Sequence, residues 1–141
     1  MMYIPTALFF NGVQTGCLLF VSFVDARLLR TLCDKKKDDA IKTIFSIWWP
    51  AGRDLMVPLS VATMVADAAA YWSTKQMKWA IAGSLVFSTL VWTGVIMGES
   101  IQALRDTKSS NDTFKIAKNF CFLHQFRLVA AVVGFSLVLF Y

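Results

Sequence analysis

The sequence predicts an all-α integral membrane protein, a four-helix bundle with an amphipathic interfacial helix between spans one and two. Three observations carry this prediction. The 141 residues are 57% hydrophobic, with a mean hydropathy of +0.56. Charged residues make up only 16% of the chain, whereas soluble domains carry roughly 25%. Four apolar segments each approach the about 20 residues that a spanning helix needs.

The apolar segments place the spans at about residues 4–24, 54–72, 79–98 and 119–141, in a single transmembrane domain that covers residues 1–141. Pro5 suits the first turn of a helix, where a missing N–H costs little. Pro58 lies near the start of the second span and is tolerated there. A polar loop is expected at residues 109–112. The remaining loops are too short for a separate soluble domain, which needs at least ~50 residues.

The segment DDAIKTIFSIWW, residues 38–49, precedes the second span. Its apolar side chains recur at helical spacing from Ile41 to Trp48, and Trp49 follows directly. We therefore expect a short amphipathic helix that lies at the membrane interface with its paired tryptophans as anchor. Pro50 and Gly52 are expected to end it.

The basic residues are distributed asymmetrically. Of the 14 Lys and Arg residues, seven lie in the first loop and four in the third, but only two in the second. By the positive-inside rule, loops one and three should face the cytosol or the mitochondrial matrix, and both termini the opposite side. Trp72 and Trp79 flank the second loop, as an aromatic belt would. The net charge of +5 is thus interpreted as a topology signal, and no nucleic-acid partner is predicted.

Ionisable side chains inside membrane spans are costly and mark functional sites by default. All four helices deliver such groups to the level near the basic loops. His124 and Arg127 lie three residues apart and share a helix face. Arg127 is flanked by apolar residues and is expected to pair with a carboxylate from another helix. The carboxylates considered as partners are Asp25, Asp54 and Glu99. Together with Arg53 and Gln102 they form the predicted polar cluster around His124 and Arg127.

Three interpretations of this cluster remain open. Arg53, Asp54 and Asp25 are interpreted first as interfacial groups that reach water. Arg127 and Glu99 lie deeper, which favours an inward-facing ion pair. Such a pair serves equally as a structural clamp or as part of a reactive site.

A second polar layer is predicted toward the opposite side of the membrane. It comprises Asn11 and Gln14 on the first helix and Asp67 on the second. Asp67 is about 13 residues, or ~20 Å, into its helix. A hydrogen bond from Asp67 to Asn11 or Gln14 is a plausible interhelical contact. No metal or cofactor site is predicted, because His124 is the only histidine and no phosphate-binding or metalloprotease motif occurs.

Three motifs in order suggest a family. They are NGVQTG at residues 11–16, WWPAGRDLMVPLS at residues 48–60 and FLHQFR at residues 122–127. In this order the chain resembles the anthrone oxygenase-like family of small four-helix membrane proteins. The resemblance implies a four-helix bundle. In some members it implies oxidation of a polycyclic phenolic anthrone by dioxygen without a metal or flavin.

Carried over position by position, His124 and Arg127 match the HxxR motif of the fourth helix, and Gly52 and Pro58 match the start of the second. The sequence departs from the pattern at two places. Phe120 stands in a region where a Trp is expected before HxxR. The third helix ends in GESIQAL, where a Pro-Thr-Asn-like stretch is expected.

Two functional hypotheses follow. The first is a structural or accessory subunit of a larger membrane complex, of respiratory type in the mitochondrial inner membrane, with other membrane subunits as partners. Short loops and the lack of a cofactor motif favour it. The alternative is a cofactor-free oxygenase that acts on a lipophilic aromatic molecule, with His124 as base and Arg127 stabilising the anion. An open apolar cavity that reaches His124 would favour the enzyme. A filled bundle with Arg127 locked to a carboxylate would favour the subunit.

Overall fold

The chain folds into helices throughout the residues described by the computed structural model, which are 3–106 and 112–141. A π-helical turn, Val21–Asp25, joins the first α-helix, Tyr3–Phe20, to the second, Ala26–Asp34, without a loop. No strand occurs within the described ranges. The α-helices are α1 (Tyr3–Phe20), α2 (Ala26–Asp34), α3 (Asp38–Thr74), α4 (Met77–Val95), α5 (Gly98–Arg105) and α6 (Thr113–Phe140).

Four helical stretches are long and apolar enough to cross a membrane: Tyr3–Asp34, Asp38–Thr74, Met77–Val95 and Thr113–Phe140. Each exposes large apolar side chains, among them Phe9, Val65, Phe87 and Val133. Such a surface suits lipid rather than water. The prediction of an all-helical membrane protein with four spans is confirmed to this extent.

The helices form a closed ring in which α1 contacts α3, α3 contacts α4, α4 contacts α6, and α6 returns to α1. Neighbours in the sequence are thus neighbours in space, as in an up-down-up-down bundle. At one end, Ala7, Ala70, Trp79 and Val138 pack into one core cluster. Trp79 is only 1% exposed. Its predicted place in an aromatic belt is therefore wrong, because small alanines around it leave room for the indole inside the bundle.

The opposite end of the bundle carries the basic residues and has a core of its own. The first two helical stretches are 32 and 37 residues long, whereas about 20 residues suffice to span a bilayer. The surplus at this end comprises α2 and the first turns of α3, which pack with α5 and the start of α6. At this end, each of these two helical stretches is therefore longer by well over one turn than crossing a bilayer requires.

The amphipathic segment before the second span is helical, as predicted, but its apolar face packs against protein. Ile41 and Phe45 are fully buried. The rings of Phe45 and Phe120 meet edge to face, with their centroids 5.1 Å apart. Trp48 and Trp49 also pack edge to face against the Phe120 ring. Its position along the membrane surface stays a prediction.

The expected break at Pro50 and Gly52 is wrong, because α3 runs without interruption from Asp38 to Thr74. A proline inside a helix costs about 3 kcal/mol. Ending the helix there would expose the buried Ile41 and Phe45, and burying each is worth about 1.5–3 kcal/mol. Packing on the N-terminal side of Pro50 therefore outweighs its local preference.

Acidic side chains stabilise the N-terminal ends of two helices, α3 and α6. Asp38 and Asp39 lie in the first turn of α3, where carboxylates favour the helix dipole. The Asp112 side chain accepts a hydrogen bond from the Lys115 N–H at 3.2 Å and caps α6. The third span ends at Val95, before the predicted residue 98, and α5 continues from Gly98. Of the predicted polar loop, residues 109–111 lie outside the described residues.

Candidate functional site

A partly open, mostly apolar cavity of about 360 Å³ lies inside the bundle, next to the basic-end core. Five of the six α-helices and the π-helical turn supply its walls. Three glycines, Gly52, Gly94 and Gly98, lie in the wall, and their lack of side chains leaves space there. A Cβ at any of them would meet no atom within 4 Å. The polar side chains in the wall are Arg53, Thr93, Gln102, Arg105, His124 and Arg127.

His124 reaches the cavity from the middle of α6. The residue is 1% exposed, and within the described part of the chain neither ring nitrogen has a hydrogen-bond partner. The backbone of Leu18 approaches the ring without completing a hydrogen bond of standard geometry. The Phe120 ring lies 6.4 Å away and nearly parallel to it. A buried polar group without a partner is rare in a folded protein, which points to a ligand or water at this position.

Arg127 lies one turn further along α6 and also lines the cavity, so the predicted shared face of His124 and Arg127 is confirmed. Arg127 is 7% exposed, and its Nε has no partner. Among the residues that the structure describes, no ion pair joins Arg127 to a carboxylate. The predicted pairing with Asp25, Asp54 or Glu99 is therefore wrong.

Each of the three carboxylates lies in a local environment that holds it away from Arg127. Asp25 ends the π-helical turn and accepts a hydrogen bond from the Trp48 indole at 2.8 Å. Asp54 pairs with its neighbour Arg53 at 2.7 Å, and both side chains are more than half exposed. Glu99 is exposed in the first turn of α5, where a helix N-terminus favours a negative charge. Arg53 and Asp54 are thus exposed on the surface of the bundle, and the interpretation of Arg53, Asp54 and Asp25 as interfacial groups that reach water stays a prediction.

The structure thus brings together part of the predicted cluster. Arg53 and Gln102 share the cavity with His124 and Arg127, whereas Asp25, Asp54 and Glu99 do not line it. Asp25 acts on the cavity only through Trp48.

Of the wall residues on α3, sequence reasoning placed only Arg53 in the polar cluster and missed the cavity role of its neighbours. Trp48, Gly52 and Met56 follow one another at intervals of four, as do Trp49, Arg53 and Val57. Positions four apart lie on one face of a helix. The expected break at Pro50 hid these two rows. Arg105 and Thr93 also line the cavity, and their positions in the sequence carried no signal of that role.

The second polar layer lies apart from the cavity. The Asn11 side-chain amide donates to Asp67 Oδ1 at 2.7 Å and to the Ala7 carbonyl at 2.9 Å. The predicted interhelical contact is confirmed for Asn11. Gln14 instead donates to the Ser60 hydroxyl at 3.3 Å. These side chains are all buried, so the layer ties α1 to α3 within the apolar region.

Replacement of Asn11 by alanine is expected to lower the free energy of unfolding by about 1–3 kcal/mol, because Asp67 loses a buried donor. Denaturation in mixed micelles, followed by helicity, measures the change. A cycle of Asn11→Ala, Asp67→Ala and the double variant should give a coupling energy of about 0.6–1.7 kcal/mol. Ser84→Ala is the control, because this exposed hydroxyl bonds only within its own helix. A coupling energy near zero would contradict the contact.

Comparison with protein-family models, with curated proteins and with solved structures found no match. Across the described residues, no group of three or more His, Cys, Asp or Glu side chains is placed to hold a metal ion. The resemblance to the anthrone oxygenase-like family therefore stays a prediction.

The cavity combines three chemical properties. Its walls are mainly apolar, so they favour a lipophilic molecule. His124 offers a ring nitrogen that no protein group occupies. Arg127 offers a permanent positive charge one helical turn away, without a carboxylate partner in the described part of the chain. A base next to an unpaired cation is suited to removing a proton and stabilising the resulting anion.

Proposed function

We propose that this membrane protein binds a lipophilic aromatic molecule in its inner cavity and oxidises it with dioxygen, as a cofactor-free, anthrone oxygenase-like enzyme. The observation that carries the proposal is the apolar cavity with both His124 and Arg127 in its wall. Its volume of about 360 Å³ falls within the roughly 300–1,000 Å³ of small-molecule sites.

The proposed reaction needs no group beyond the chain, the substrate and dioxygen. His124 takes a proton from the methylene carbon of an anthrone. The electron pair left behind delocalises onto the carbonyl oxygen on the opposite side of the central ring, where Arg127 stabilises the negative charge. The anion transfers one electron to dioxygen, and the two resulting radicals join through a new C–O bond. The peroxide anion then takes from His124 the proton that the imidazole removed in the first step. It then loses water as the second methylene hydrogen leaves. One oxygen atom remains as a quinone carbonyl and the other becomes water.

Within the described residues Arg127 has no ion pair, which supports this role. A carboxylate partner would offset much of the charge of the guanidinium. In the cavity it remains available for the anion that forms during the reaction. Burial strengthens that interaction, because charges attract more strongly in a medium of low dielectric constant.

The purified protein in a neutral detergent, supplied with an anthrone, provides the test. We expect dioxygen uptake and quinone absorbance to rise together, one quinone for each dioxygen consumed, well above the rate in protein-free micelles. Gln14→Ala is the matched control, because Gln14 is buried and polar but does not line the cavity. Uptake no faster than in empty micelles would refute the proposal.

The accessory-subunit hypothesis, including its mitochondrial inner-membrane location, stays a prediction. Gentle solubilisation followed by native mass spectrometry tests it directly. An accessory subunit should co-migrate with other membrane proteins. A chain that is found only at its own mass, or as copies of itself, would contradict that hypothesis.

The orientation in the membrane is likewise a proposal that rests on the basic loops. We infer that the end bearing α2 and α5 faces the cytosol or matrix. Epitope tags at either terminus, probed in intact and then permeabilised membranes, should be accessible only from the opposite side. Tags accessible from the cytosolic or matrix side would reverse the assignment.

A further inference from the structure

We propose that the natural ligand of the cavity is a lipophilic carboxylate, an aromatic molecule that carries a negative charge of its own. The inference rests on the proposed function in one respect, that the cavity is a ligand site. It goes beyond that function by assigning the class of ligand. The charges of the wall carry the argument.

The Arg and His side chains that line the described part of the wall are positively charged or neutral, and none of them is acidic. Arg53, Arg105, Arg127 and His124 line the cavity, and no Asp or Glu does so among the residues that the structure describes. The carboxylates that the sequence placed at this level lie elsewhere. Asp54, the partner of Arg53, offsets one positive charge from outside the wall. Within the described part of the wall, every side chain with a full charge is therefore positive, in an apolar setting, which favours an anion.

The arginines lie at two depths. Arg127 is buried on α6, whereas Arg53 on α3 and Arg105 on α5 are exposed. Helices α3 and α5 contact each other, so Arg53 and Arg105 come from adjacent elements of the wall. A ligand with one charged end fits this arrangement. Its carboxylate would lie at the exposed pair, and its aromatic body would extend inward to His124 and Arg127.

Guanidinium chemistry favours a carboxylate at the exposed pair. An arginine presents a planar fork of N–H donors that matches the two oxygens of a carboxylate. Arg53 uses Nε and one terminal nitrogen for Asp54, which leaves further donors for a ligand. The oxygens of a neutral molecule would also accept from these donors, but more weakly than a carboxylate would. The wall thus contains recognition groups that an uncharged anthrone alone does not need.

A pair of probes of nearly equal shape tests the proposal: 9-anthracenecarboxylate and the neutral 9-anthracenemethanol. Binding to the full chain in neutral detergent can be followed by quenching of tryptophan fluorescence, because Trp48 and Trp49 line the cavity. We expect the carboxylate to bind at least about tenfold more tightly, as one charged hydrogen-bonded contact would give. Equal binding, or tighter binding of the alcohol, would overturn the proposal.

Two double variants separate the cavity from general surface charge. Arg53→Gln with Arg105→Gln should reduce the preference for the carboxylate to less than about threefold. Lys115→Gln with Lys118→Gln removes two exposed charges from α6 that do not line the cavity, and should leave the preference unchanged. A preference lost equally in both double variants would show nonspecific attraction. A preference that persists in the arginine variant would also refute the assignment.

The same measurements keep this proposal distinct from the proposed oxygenase. Tight binding of the carboxylate without oxidation of any anthrone would remove the oxygenase and retain the anionic ligand class. Oxidation of a neutral anthrone without any preference for the carboxylate probe would do the reverse. An excess of anionic phospholipid that displaces the probe completely would identify a lipid headgroup as the ligand and overturn the assignment of a small carboxylate.

Discussion

Replacement of His124 by alanine is expected to lower the rate of anthrone oxidation at least ~100-fold, the usual contribution of a positioned base. The change removes the unpartnered ring nitrogen from the cavity wall. It leaves Arg127 and the apolar walls in place. Initial rates of quinone formation measure the effect, and circular dichroism checks that the bundle remains folded.

The control for this experiment is a replacement of similar size, which fills the space of the imidazole. His124→Gln should retain the fold and remain slow, because an amide is a poor base. Excess imidazole should restore part of the rate in His124→Ala, since the vacated space can admit it. Unchanged dioxygen uptake in His124→Ala would exclude His124 as the base.

Replacement of Arg127 by methionine is expected to stabilise the bundle and abolish the reaction. A buried charge without a partner among the described residues costs free energy, so an apolar side chain of similar length should be more stable at this position. Denaturation in mixed micelles should therefore shift to higher denaturant. The rate of anthrone oxidation should fall, because the anion loses its counter-charge. This opposition between stability and activity is typical of functional sites.

The same variant decides between the two roles that the sequence left open for Arg127. A structural clamp would make Arg127→Met destabilising. Arg127→Lys is the control, because it keeps the charge but not the planar fork. We expect Arg127→Lys to retain stability close to that of the unaltered chain and to keep part of the activity. A loss of stability in Arg127→Met would contradict the proposed site.

The aromatic side chains explain how the cavity and the basic-end core depend on each other. Trp48 and Trp49 pack against Phe120 on one side and line the cavity on the other. Phe120 in turn lies beside His124. The hydrogen bond from Trp48 to Asp25 fixes one indole in this wall. Asp25 thus holds one indole of the cavity wall in place.

Several features of this protein follow from the sequence by itself. Four apolar segments predicted four membrane helices, because spanning needs about 20 residues regardless of neighbours. The spacing of three between His124 and Arg127 placed both on one face, since helix geometry is local. The small residues around Asp67 and the amides of the first helix predicted the contact between Asn11 and Asp67. A costly polar group in an apolar span needs such a partner.

Other features were decided only by the tertiary structure. The continuity of α3 through Pro50 depends on burial of Ile41 and Phe45 against other helices. Arg127 has no carboxylate partner in residues 3–106 and 112–141. Pairing depends on distances between helices, which the spacing of residues along the sequence does not contain. The cavity is a void, and a void is set by how far apart packed helices stand. Sequence thus determined which polar groups lie near one level, and packing determined which of them share a cavity.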